Sequence, residues 1–175
     1  MPALSSLRTR RSRSRTAEAT RQVLVFKLQD EWFALPIEAV QKVVVRGDIY
    51  GDPNGSGVSL TVFDGRELVV VDVARRIFNR LSETEAIAPT SQQPSFLFVI
   101  RDSQDNWVGL PANTPPTVRR LPESAFAPLP ETYQSAGNIQ CVSSLSIQTE
   151  GEPPIFLLDR DRLVASTLDP LRLVS

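Results

Sequence analysis

The chain has 175 residues, with 19 basic and 20 acidic side chains, one cysteine and no histidine. Without histidine there is no Ser-His-Asp or Cys-His site and no imidazole metal ligand, and a single thiol rules out an intramolecular disulfide. No apolar run approaches the roughly 18 residues that a membrane span needs, so the chain is expected to be cytoplasmic, with no cofactor or metal.

Residues 1–21 carry six arginines against Glu18, a surplus of five positive charges that leaves about −6 on the remainder. The stretch has no aromatic residue and no β-branched run, so it cannot nucleate a core and reads as a disordered basic arm. Its charge suits a contact with nucleic acid. The acidic body has no basic strip interleaved with aromatics, which argues against a nucleic-acid surface anywhere else.

From Gln22 the pattern alternates. Val23, Val25 and Lys27 face one way and Leu24, Phe26 and Leu28 the other, and a turn at Gln29 to Glu31 leads to a return strand over Trp32 to Ile37. Glu38 to Val44 reads as a short helical turn passing into a strand. Residues 46–58 are rich in glycine and turn formers; they lack the Lys-Ser/Thr and the helix start of a phosphate-binding loop. Ser59 to Asp64 and Glu67 to Val71 form a second hairpin about Asp64-Gly65, and Val73 to Arg80 a helix.

Residues 81–94 are polar, with Pro89 and Pro94, and suit a linker. Ser95 to Arg101 and Trp107 to Pro111 open another hairpin, and Thr117 to Leu121 continues as a strand. Ser124 to Asn138, with Pro128 and Pro130, reads as an irregular surface loop. Strands over Ile139 to Ile147 and Ile155 to Leu158 follow, then a helix over Asp161 to Ala165 and a tail at 167–175.

Two stretches of this series repeat. Gly65 to Phe78 returns in degenerate form as Gly151 to Val164: an acidic residue and glycine (Asp64-Gly65, Glu150-Gly151), four apolar residues (Leu68 to Val71, Ile155 to Leu158), an aspartate (Asp72, Asp159) and a closing apolar pair. Upstream of each copy stands a hairpin that contains Trp-x-x-Leu-Pro, at Trp32 to Pro36 and Trp107 to Pro111. Such a repeat marks internal duplication, and the expected fold is all-β, with one small subdomain over 22–80 and a second over 95–166. Halves of this size are marginal alone and must pack on one another.

The chemistry-bearing residues fit structural roles. Asp72 and Asp159 stand where a strand gives way to a helix, the place for a helix cap. Trp32 and Trp107 read as core anchors, and Cys141 as inert filling in an apolar strand. No catalytic constellation remains, and a scaffold of this kind works through its surfaces.

Residues 22–166 resemble the CheW-like adaptor domain of bacterial chemosensory arrays. Leu24 to Val43 is similar to the family's opening hairpin and its V-Q-E-I segment, Gly65 to Val73 to G-x-x-x-P-V-x-D-L, Val108 to Pro111 and Thr117 to Pro122 to G-L-x-V-D and V-x-x-I-P, and Ile155 to Leu163 to I-L-L-L-D-x-x-x-L. The resemblance implies two packed SH3-like five-stranded β-barrels with short connecting helices. It implies a non-enzymatic adaptor that links a CheA-type histidine kinase to methyl-accepting chemoreceptors, through a groove near Ile37, Val40, Lys42, Val43 and Asp64. Two departures reverse charge: Lys42 stands where the family has glutamate, and Asp64 where it has arginine. They are expected to suit a partner of opposite charge, in a pilus, gliding or other chemosensory-like pathway.

Overall fold

In the computed structural model, residues 16–51, 55–78, 95–134 and 141–172 are described. The first half gives β1 (Thr20–Leu28), β2 (Glu31–Pro36), a 3-10 turn (Ile37–Ala39), β3 (Val40–Val45), β4 (Ile49–Tyr50), β5 (Val58–Phe63), β6 (Arg66–Val71) and helix α1 (Val73–Phe78). The second gives β7 (Phe96–Arg101), β8 (Trp107–Ala112), β9 (Thr117–Pro122), a 3-10 turn (Glu123–Ala125), β10 (Phe126–Pro128), α2 (Glu131–Gln134), β11 (Val142–Ile147), β12 (Ile155–Leu158) and α3 (Arg160–Arg172). The β5–β6 reversal puts Asp64 at φ 49° and Gly65 at φ 72°, the left-handed pair that a two-residue hairpin loop demands.

Among the described residues these strands form two six-stranded sheets, in the orders β10-β11-β12-β2-β1-β9 and β3-β7-β8-β6-β5-β4. Each half lends its opening hairpin to the other. The β1–β2 hairpin joins the sheet of β9 to β12, with β2 parallel to β12, and the β7–β8 hairpin joins the sheet of β3 to β6, with β8 parallel to β6. The two parallel registers repeat one another. Phe33 and Ala34 face Phe156 and Leu157 in one, and Val108 and Gly109 face Val69 and Val70 in the other, matching the residue equivalences of the sequence repeat.

Alternation along the strands sorts side chains among three cores. Leu24, Phe26 and Leu28 enter the large core between the sheets with Phe33, Phe98, Ile100, Val108 and Leu158. Val23 and Val25, on the opposite face of β1, enter a smaller core with Ile147, Ile155 and Leu157. Leu68, Val70, Leu97 and Val99 fill the equivalent space in the other sheet. The large core draws on both halves and both sheets, so the boundary at 81–94 does not divide the packing into sequential subdomains; the linker residues themselves lie outside the described residues.

The structure differs from the sequence reading at several places. Each sheet has six strands rather than five, because β4 and β10 are strands of two and three residues inside stretches whose glycine and proline content reads as loop. Residues this few show no period. Trp32 and Trp107 are not core anchors: they are 38% and 43% exposed, and the next residue of each strand, Phe33 or Val108, takes the interior at 1% and 2%. The fold begins before Gln22. The Glu18 carboxylate accepts the Ser124 amide at 2.8 Å, the Ala19 carbonyl accepts the Glu123 amide at 2.9 Å, and Thr20 and Arg21 already pair with β9. Residues 1–15 lie outside the described residues. At the other end α3 runs on to Arg172, where a tail was expected.

Candidate functional site

The five residues that the resemblance marks lie on the 3-10 turn, on edge strand β3 and in the β5–β6 turn. Ile37 and Val40 are half-buried and pack on the inter-sheet core. A bulge between Val40 and Lys42 shifts the pairing with β7, so that Val40 faces Ile100 and Lys42 faces Val99. An unbroken register would have set Lys42 opposite Phe98, on the inter-sheet side. The extra residue re-aims it to the face of Val99, whose side chain belongs to the core of this sheet alone.

There the Lys42 ammonium lies 3.2 Å from Asp64 Oδ2 and 5.2 Å from the centre of the Phe63 ring. Both charged side chains are more than half exposed, so the pair contributes about 0 to 1 kcal/mol. A second ion pair does the same in the other half: Arg119 on β9 reaches Glu152, in the turn entering β12, at 3.0 Å. In each half the edge strand is thus tied to the turn that precedes the last strand.

Lys42 and Asp64 are brought together; Val43 is not with them. It faces Phe98 across the ladder and, by the period of two, points to the inter-sheet side with Val45. Val43 and Val45 are 39% and 72% exposed, an apolar edge beside Ile37 and Val40. Val45 is a residue that the sequence reading missed, although the unbroken run Val43-Val44-Val45 carries the signal that one face of a sheet edge is left apolar. Ile37 also walls a cleft of about 480 Å³ with Arg21, Glu38, Arg120 and Phe126, in which the Arg21 guanidinium stacks over Phe126 at 5.1 Å and pairs with Glu123 at 2.7 Å.

The carboxylates considered for chemistry are structural. Asp72 Oδ1 accepts the Arg75 amide at 3.0 Å, and Asp159 Oδ1 accepts the Asp161 and Arg162 amides at 3.0 and 3.1 Å, as helix caps do. Cys141 is buried just before β11, and its carbonyl accepts the Asp159 amide at 2.9 Å. Among the described residues no group of three or more Cys, Asp and Glu side chains is placed to hold a metal ion, and no helix is long and apolar enough to cross a membrane.

The family model for the CheW-like domain matches residues 22–168. Among solved structures, the scaffolding protein TtCheW of Thermoanaerobacter tengcongensis is similar in fold, with a TM-score of 0.63 at 19% identity over 81% of this chain and 90% of that one. Curated protein sequences give no match. Since the family model takes in both hairpins, both parallel pairings and the start of α3, the chain belongs to the CheW-like domain family.

Proposed function

We propose that this protein is a non-enzymatic adaptor that links a CheA-type histidine kinase to methyl-accepting chemoreceptors in a chemosensory signalling pathway. Family membership supports the class of function, and the observation that carries the site is the apolar edge of β3. Val43 and Val45 stay exposed beside Ile37 and Val40, which anchor the strand to the inter-sheet core. An exposed apolar edge on a rigid strand suits the packing of a long receptor helix against it, because helix-in-groove contacts bury aliphatic rows. Lys42 and Asp64 point to the other face of β3 and pair with one another, so the contact does not call on their charges.

The test is reconstitution with the kinase and a receptor signalling fragment from the same cell. Val43→Asp and Val45→Asp are expected to weaken receptor-fragment binding at least tenfold without lowering the melting temperature by more than a few degrees. Unchanged binding in both variants removes β3 from the contact, and failure of the native protein to bring kinase and receptor together removes the adaptor reading itself.

A further inference from the structure

An aliphatic row accepts a helix in either direction, so direction has to come from charge. Charged side chains line the cleft that Ile37 shares with β1, β9 and β10. One of them is already matched: Arg21 pairs with Glu123 at 2.7 Å, with its guanidinium over the Phe126 ring. Two others are not. Arg120 and Glu38 are exposed, and among the described residues neither makes a hydrogen bond or an ion pair.

Their places in the fold keep these two apart. Arg120 on β9 stands opposite Gln22 of β1, and Glu38 follows Pro36, which stands opposite Val23 on the other side of the same strand. They approach the cleft from opposite flanks of β1, two strand spacings apart, roughly 10 Å. Apolar surface lies between them, formed by Ile37, Phe126 and the buried Val23 and Leu157. Gln22 shares its face of β1 with Leu24, which enters the inter-sheet core, and Val43 points to the inter-sheet side from β3. The cleft and the apolar edge thus both open from the inter-sheet layer, and Ile37 belongs to both.

We propose that the receptor helix seated on the β3 edge reaches over this cleft and is oriented there by two charges of its own, an acidic side chain on Arg120 and a basic one on Glu38. This rests on the adaptor reading above. Side chains seven residues apart on one helix face are separated by about 10.5 Å along the axis, which matches the two flanks of β1. An aliphatic residue midway between them meets Ile37 and Phe126. Turned end for end, the same helix sets like charge against like at both places, so the pair of contacts selects one direction.

The probe is a receptor signalling fragment from the same cell, titrated into the full chain at low salt. Arg120→Glu and Glu38→Arg are each expected to weaken its binding roughly fivefold or more, and the loss should shrink as salt screens the charges. Melting temperatures should stay close to that of the native protein, because neither side chain has a partner among the described residues to lose. Acid and base pairs seven residues apart in the fragment are then exchanged one pair at a time. One exchanged fragment should bind the Arg120→Glu, Glu38→Arg double variant and bind the native chain poorly. If Val43→Asp weakens binding of the native fragment while both reversals leave it unchanged, the charge contacts are overturned and the adaptor reading stands. A loss that no exchanged fragment recovers overturns them as well. Tighter fragment binding on removal of residues 1–15, with the reversals without effect, assigns the cleft to the chain's own arm and overturns the proposal. Failure of the native fragment to bind at all removes the proposal together with the reading it rests on.

Discussion

The Lys42 ammonium and the Asp64 carboxylate, 22 residues apart in sequence, meet at 3.2 Å. By the motif resemblance each reverses the charge of the family's pattern, and in this chain the two residues face one another as an ion pair. Charges that satisfy each other within the chain do not call for a partner of opposite charge. A double-mutant cycle on folding stability is expected to give a coupling of about 0.2 to 1 kcal/mol, with Lys42→Glu alone destabilising by leaving two carboxylates together. Lys42→Glu with Asp64→Arg should restore stability and leave receptor and kinase binding within about threefold. Zero coupling, or a large loss of binding in the double variant at low salt, would return both residues to the partner's side.

Asp72 and Asp159 cap equivalent helices in the two halves. Substitution of either by alanine is expected to cost about 0.5 to 2 kcal/mol in urea denaturation with an unchanged m-value. Adaptor function should persist where the fold persists.

Acid should loosen the contact between the β7–β8 turn and α3. Burial alone would raise the Asp102 carboxyl, but the Asn106 side chain and the Asn106 and Gln104 amides outweigh it and hold the group below its ordinary value. Asp161 is held down chiefly by the Ser103 amide at 2.8 Å, with Arg160 adding to the effect. Both folded-state values lie below the unfolded one of about 3.9. The stabilisation is therefore fully present above that pH and is lost as pH falls through the folded values. Unfolding midpoints followed from pH 5 down to 2 should fall, and Asp161→Asn should flatten that fall. Equal slopes for the two proteins would show that the contact contributes nothing.

Because the opening hairpins are exchanged, neither half contains a complete sheet. Residues 16–80 and 95–175 expressed as separate chains are expected to lack a cooperative transition when alone and to regain one when mixed. The intact protein should unfold in a single step whose m-value matches exposure of both halves together. Two resolved transitions, or a stable first half by itself, would contradict the exchange.

Much was legible in the sequence because it is local. The period of two along β1 sorted Val23 and Val25 from Leu24, Phe26 and Leu28 onto the two cores that receive them. Asp64-Gly65 marked a hairpin turn, the two aspartates marked helix starts, and the repeat matched Phe33 with Val108 and Phe156 with Val69, which hold the same places in the two parallel pairings. Each of these depends on a residue and its near neighbours in the chain.

Tertiary structure alone decided which hairpin joins which half. β6 and β12 are both short apolar runs after an acidic-glycine turn, so either offers the β1–β2 hairpin the same ladder of backbone groups, and alternation cannot choose between them. The packing of Phe26 on Phe98 and of Phe33 on Phe156, with ring centroids 4.8 and 5.7 Å apart, accompanies the exchanged arrangement. The same pairing set the tryptophans outward, gave two- and three-residue stretches a strand to pair with, and brought Lys42 to Asp64. Those outcomes depend on neighbours distant in sequence, which a short window of residues does not specify.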